Sequence, residues 1–153
     1  MTKKDINFRH IWSVLCTNSS IDQQTNNVSL YNVIEQIHID KAAFEAVTKN
    51  PEEVVVANIV FEIVSLWKKD ESAEDLKVEQ RLDMLDPTGK LLDSVKNEFK
   101  IPAKVTRFRF KLQINGMKVT APGEYNYVLN VKNPATGEFD EVTRVPLEVK
   151  EQK

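Results

Sequence analysis

The stretch Thr106-Arg-Phe-Arg-Phe-Lys-Leu-Gln-Ile114 alternates without a break. Thr106, Phe108, Phe110, Leu112 and Ile114 fall on one parity; Arg107, Arg109, Lys111 and Gln113 fall on the other. A period of two puts successive side chains on opposite faces of a strand, whereas a helix would scatter the same apolar residues around its axis. One face is therefore dry and one wet, as in an antiparallel sheet with one packed surface. Two later stretches repeat the pattern. Tyr125, Tyr127, Leu129 and Val131 alternate against Asn126, Val128, Asn130 and Lys132. Thr143, Val145, Leu147 and Val149 alternate against Arg144, Pro146, Glu148 and Lys150.

Working outward, apolar and β-branched runs recur at 8–17, 28–39, 54–67, 78–85, 91–101, 105–115, 125–132 and 142–149. Turn formers separate most of them: Asn26-Asn27, Asn50-Pro51, Asp86-Pro87-Thr88-Gly89, Asn115-Gly116 and the Asn133–Gly137 segment. Proline second and glycine fourth mark Asp86–Gly89 as a type I turn. This spacing predicts a meander of strands. Val54–Trp67 is apolar on both parities and predicts a central strand covered on both sides. Pro146 has no amide hydrogen, so its strand is expected at an edge or at a bulge. Residues 41–49 read as a short helix capped by Asp40, with Phe44 and Val47 on its packed side. Residues 68–77 read as a charged loop, and 150–153 as a fraying tail. The predicted fold is all-β: an immunoglobulin-like antiparallel β-sandwich of seven to nine strands with one short helical insert, in a single domain over 1–153.

At 153 residues a chain buries enough surface to fold without metal or disulfide. Lys and Arg number 21 against 23 Asp and Glu, which argues against general nucleic-acid binding. The lone cysteine, Cys16, fits a reducing compartment. The charged start is followed by no apolar core of a signal peptide, and no apolar run is long enough to span a bilayer. A cytoplasmic location without membrane association is expected.

Candidate chemistry is sparse. His10, Cys16 and His38 are the soft ligands, and a zinc site wants three or four together. Cys16 reads first as a small core residue, sharing its parity with Phe8, His10, Trp12 and Val14. Asp70, Glu71, Glu74 and Asp75 lack the spacing of a calcium loop. The four glycines form neither a phosphate loop nor a dinucleotide fingerprint. No catalytic residue, metal or cofactor is expected. Two features could bind. Arg107, Arg109 and Lys111 line one strand face about 7 Å apart. Asp22, Gln23, Gln24 and Thr25, with Asn26 and Asn27, offer donors and acceptors in one loop, although asparagine is also what tight turns need.

The order of features resembles a family of small bacterial domains of unknown function with an immunoglobulin-like sandwich. The resemblance rests on a first strand ending in Cys16, then Val28-Ser-Leu-Tyr-Asn-Val-Ile, Leu85-Asp-Pro-Thr-Gly-Lys-Leu-Leu, Pro122-Gly-Glu-Tyr-Asn-Tyr-Val-Leu-Asn-Val and Val145-Pro-Leu-Glu-Val. It covers most of the chain apart from 40–50 and 68–77. In such sandwiches a tyrosine near a strand start braces a corner. The resemblance implies no activity, cofactor or catalytic residue.

The leading expectation is a non-catalytic protein-binding or assembly module, whose partner is another protein or a second copy. It would engage a strand edge or the Arg107–Lys111 face. A glycan or nucleotide module using the 22–27 loop is the first alternative. A hydrolase or thiol enzyme built on Cys16 is the second.

Overall fold

The computed structural model describes residues 8–50, 52 and 55–152; the start of the third run, Val54, and the last tail residue, Lys153, lie outside them. Among the described residues nine strands and one helix follow in order: β1 Phe8–Ile21, β2 Val28–Val33, β3 Gln36–Asp40, α1 Lys41–Lys49, β4 Val55–Lys69, β5 Leu76–Leu85, β6 Leu91–Ile101, β7 Arg107–Val119, β8 Gly123–Lys132 and β9 Phe139–Gln152. They form an all-β sandwich of two sheets. The four-stranded sheet runs β2-β1-β4-β7 and the five-stranded sheet β3-β9-β8-β5-β6. Among the described residues no helix is long and apolar enough to cross a membrane.

β4 sits inside its sheet between β1 and β7, and Phe61 to Trp67 are buried on both parities. Phe61, Ile63 and Trp67 enter the core with Leu15, Leu82, Met84, Tyr125, Leu129 and Leu147. The opposite parity, Glu62, Val64 and Leu66, is buried on the outer side.

Local signals behave as their chemistry requires. Gly89 N donates to Asp86 O at 2.9 Å, closing the β5–β6 turn. Asp86 is buried, and its Oδ1 accepts from Thr88 N, Thr88 Oγ1 and Lys90 N. Burial pushes this carboxyl up, but hydrogen bonds from Thr88, Lys90 and Thr120 outweigh it and hold the pKa below the usual range. Tyr125 is fully buried; its hydroxyl donates to Ala121 O at 2.7 Å and accepts from Thr120 N and Ala121 N. Asp40 caps α1 by accepting from Ala42 N, and Phe44 packs into the core.

Four expectations are corrected. The run 28–39 is two strands in different sheets, because Ile34 N bonds to Leu15 O whereas Glu35 O accepts from Glu148 N. Asn32, at φ 51°, turns the chain just before that crossing. The sandwich is not purely antiparallel, since β3 then runs parallel to β9. The tail does not fray: Lys150, Glu151 and Gln152 pair with His38, Ile39 and Asp40. The charged loop is shorter than 68–77, because Lys68 and Lys69 extend β4, and Leu76 and Lys77 begin β5. Pro146 lies within an inner strand, but β3 joins β9 only from Glu148 onward. At Pro146 only β8 borders β9, so the missing donor leaves no gap in a two-sided ladder.

Candidate functional site

The amide loop and the basic strand face, distant in sequence, meet. β1 pairs with β4 as far as Cys16–Glu62, and beyond that with β2 alone. Arg109 is in register with Leu66, which pairs with Trp12. A straight β1–β2 hairpin would carry its tip away from that level by about 3.3 Å per residue. Instead Arg109 Nη2 donates to Asn26 Oδ1 at 2.8 Å. Ser19 Oγ donates to Glu62 Oε2 at 2.9 Å, and Lys111 Nζ pairs with Glu62 Oε1 at 3.3 Å. The hairpin therefore turns back across the outer face of the four-stranded sheet. That fold-back accounts for the burial of Cys16, Glu62, Val64 and Leu66 there.

Most of the loop's polar groups serve the turn. Asp22 Oδ1 accepts from Gln24 N and Thr25 N, both at 2.8 Å. Those bonds, Thr25's first, hold the Asp22 carboxyl below its usual range. Thr25 Oγ1 accepts from Asn27 N, and Asn26 takes the left-handed φ of 59°. Gln23 and Gln24 are exposed, and their side chains have no hydrogen-bond partner among the described residues. Of the three basic residues, Lys111 faces Glu62, Arg109 is tied to Asn26, and Arg107 is bound to neither.

Arg107 belongs to another grouping. It is the register partner of Lys68, and Lys68 is the partner of Arg9. Three cations thus stand side by side across β1, β4 and β7, about 4.8 Å apart along the hydrogen-bonding direction. All three are exposed, and none forms an ion pair among the described residues. They border a cleft of about 410 Å³ with Lys69, Asp70, Glu71 and Thr106. Lys69 is buried, and its ammonium donates to Ala103 O and Asp70 O, with no carboxylate paired to it among the described residues. Like charges directly opposite in a sheet cost roughly 0.2–1 kcal/mol. Arg9 and Lys68 escape a reading of the sequence because only strand register brings them to Arg107.

The remaining candidates separate. A register shift between His10 and Trp12 breaks the shared parity expected of β1. His10 faces Trp67 and the core, whereas Cys16 lies beside Glu62 on the outer side. His10 Nε2 and Ser13 Oγ are 2.6 Å apart, and Ser13 Oγ lies 2.8 Å from Ser65 Oγ. Burial lowers the His10 pKa, and these groups line neither the cleft beside Arg107 nor the one between Val95 and Leu112. Cys16 is fully buried; burial and then Glu62 push its thiol up, opposing thiolate chemistry. His38 is exposed on β3. Among the described residues no group of three or more His, Cys, Asp or Glu is placed to hold a metal.

No protein-family model matches this chain. No curated protein matches it either. Among solved structures, the N-terminal domain of PorA is similar at 8% identity over 92% of this chain and 98% of that one, with a TM-score of 0.28, too weak a likeness to carry an argument.

Proposed function

We propose that this chain is a non-catalytic, cytoplasmic protein-binding module that receives an acidic partner surface on the outer face of its four-stranded sheet. The observation carrying this is the Arg9–Lys68–Arg107 row, aligned across three strands and without an ion pair among the described residues. An isolated sheet has no reason to accumulate like charges there; a partner that brings carboxylates turns that cost into attraction. The buried Lys69 ammonium adds positive potential beneath the row. The row is short and the chain's net charge is −2, which favours an acidic protein over a nucleic-acid backbone. The buried, unpaired Cys16 supports a reducing compartment.

We read the sandwich as a single domain of the immunoglobulin-like type. The adjacency of β4 with β7, the order β5-β8-β9 and the Tyr125 corner support that reading. The 22–27 loop is the weaker binding candidate, since Asp22, Thr25 and Asn26 already serve the turn or Arg109.

The test is comparative capture from lysate of the source organism. The wild-type protein and a variant carrying Arg9→Glu, Lys68→Glu and Arg107→Glu are immobilised in parallel. Acidic proteins held by the wild type, released by salt and missing from the variant are expected. The same proteins on both surfaces would refute the reading.

A further inference from the structure

The two sheets do not match in width: one has four strands, the other five. β7 ends the narrower sheet, and Leu112 and Ile114 on it share a cleft with Leu82 and Met84 of β5 and with Tyr127 of β8. β7 therefore lies over β5, and β6 overhangs. β6 and β7 meet at two points. Phe99 stacks on Phe108 and Phe110 at 5.1 and 4.8 Å. At the other end Lys118 Nζ reaches Leu92 O at 3.4 Å and Asp93 Oδ1 at 3.8 Å.

Between these pins a window stays open. Val95 pairs with the core residue Leu82 and shares its face, yet is 45% exposed. The cleft behind it holds about 150 Å³. At its floor Tyr127 is 2% exposed, and its hydroxyl has no hydrogen-bond partner among the described residues. Next along the same face, the Gln80 side-chain amide and Asn97 Oδ1 are register neighbours, buried and also without partners among the described residues. Buried polar groups in a finished core are normally satisfied, so this cluster is an unfinished one.

We propose that an extended segment of another protein adds to β7 as a fifth strand, and that this segment alternates acidic with apolar residues. The proposal rests on the protein-binding reading above and specifies its mode. A strand beside β7 would lie over the uncovered inner face of β6 and equalise the two sheets. Its inward side chains would cover Val95, and one would enter the cleft. The cleft has room for about one benzene-sized group; Leu82, Met84, Val95, Leu112 and Ile114 line it for a leucine or phenylalanine, while Asp93, Ser94, Gln113 and Asn115 make the rest of its wall polar. A polar atom carried in with it would meet the Tyr127 hydroxyl. Its outward side chains would stand next to Arg107, Arg109 and Lys111, where cross-strand pairing favours aspartate or glutamate and disfavours lysine. Main-chain hydrogen bonds to β7 would supply affinity, and the alternating side chains specificity.

The test uses a short synthetic peptide alternating aspartate with valine, one valine replaced by phenylalanine, and a second with lysine in place of aspartate. Binding is followed by fluorescence anisotropy, and amide hydrogen exchange by NMR on the labelled protein. The acidic peptide should slow exchange along 109–115 by about tenfold or more. Val95→Lys should weaken its binding about tenfold or more, and the lysine peptide should not bind. Leu112→Glu should abolish binding; because it risks the fold, Val95→Lys at an exposed position is the decisive variant. If the acidic peptide binds and exchange on β7 is unchanged, strand addition is wrong and the acidic-partner reading stands. If neither acidic peptide nor acidic lysate protein binds, both fail. A concentration-dependent dimer with protected β7 amides would assign the edge to a second copy and overturn the proposal.

Discussion

The two outer faces of the sandwich handle charge in opposite ways. On the five-stranded sheet, like charges also fall opposite one another: Glu79 faces Glu98, and Arg81 faces Lys96. Neighbours of opposite charge resolve them. Lys77 pairs with Glu98, Lys132 with Glu79, and Arg81 with Asp83. Asp83 also accepts from Ser94 Oγ and Asn130 Nδ2, and the Arg81 guanidinium lies over the Phe139 ring. On the four-stranded sheet, Arg9, Lys68 and Arg107 form one row with no such partner among the described residues. A face whose charges are mixed and paired is complete in water. A face with one sign concentrated in register is complete only with something else on it.

Removing a charge should therefore have opposite consequences on the two faces. The largest effect is expected at Asp83, whose carboxylate joins Arg81, Ser94 and Asn130. Asp83→Ala leaves those donors without their acceptor and should cost about 2 kcal/mol, read by urea unfolding. A smaller effect of the opposite sign is expected at Lys68. Lys68→Glu places a carboxylate between Arg9 and Arg107 and should stabilise the protein by about 0.5 kcal/mol. The same variant should lose the acidic partner. A loss of stability at Lys68→Glu would mean that the row is already neutralised and would remove the contrast between the faces.

What the sequence made legible was local. The Asp86–Gly89 turn, the Asp40 cap, the Tyr125 corner and the double-sided burial of β4 all depend on residues close in the chain or on one strand's own parity. What it hid depends on register. The shift between His10 and Trp12 moves His10 to the core side and Cys16 to the outer side, and nothing in Phe8–Cys16 announces it. The split of 28–39 is set by backbone bonds to two different sheets. The contact of Asn26 with Arg109 requires a hairpin folded back on its own sheet. The basic strand face was visible as Arg107, Arg109 and Lys111, but its grouping was not. Glu62 and Asn26 engage two of the three, while β1 and β4 supply the remaining one with Arg9 and Lys68.

Acid separates the faces further, by the smallest of the expected effects. Glu79 is held below the usual carboxylate range, first by its hydrogen bond with Lys132 and then by the nearby charges of Lys132, Lys77 and Lys96. A carboxylate whose pKa is lower folded than unfolded binds fewer protons in the native state. Its contribution is present above the unfolded pKa, near 4.3, and is lost as pH falls through the folded value. The five-stranded face should weaken over that interval. The row on the other sheet contains only arginine and lysine, with no carboxylate in it whose pairing acid could remove. Following the Glu79 side chain by NMR during an acid titration checks this directly. Lys132→Met should move its midpoint upward toward the unfolded value, whereas Lys68→Met should leave it in place. An equal response to both substitutions would mean that the Glu79 shift reports the chain's overall charge and not its pairing, and the local contrast between the faces would then fail.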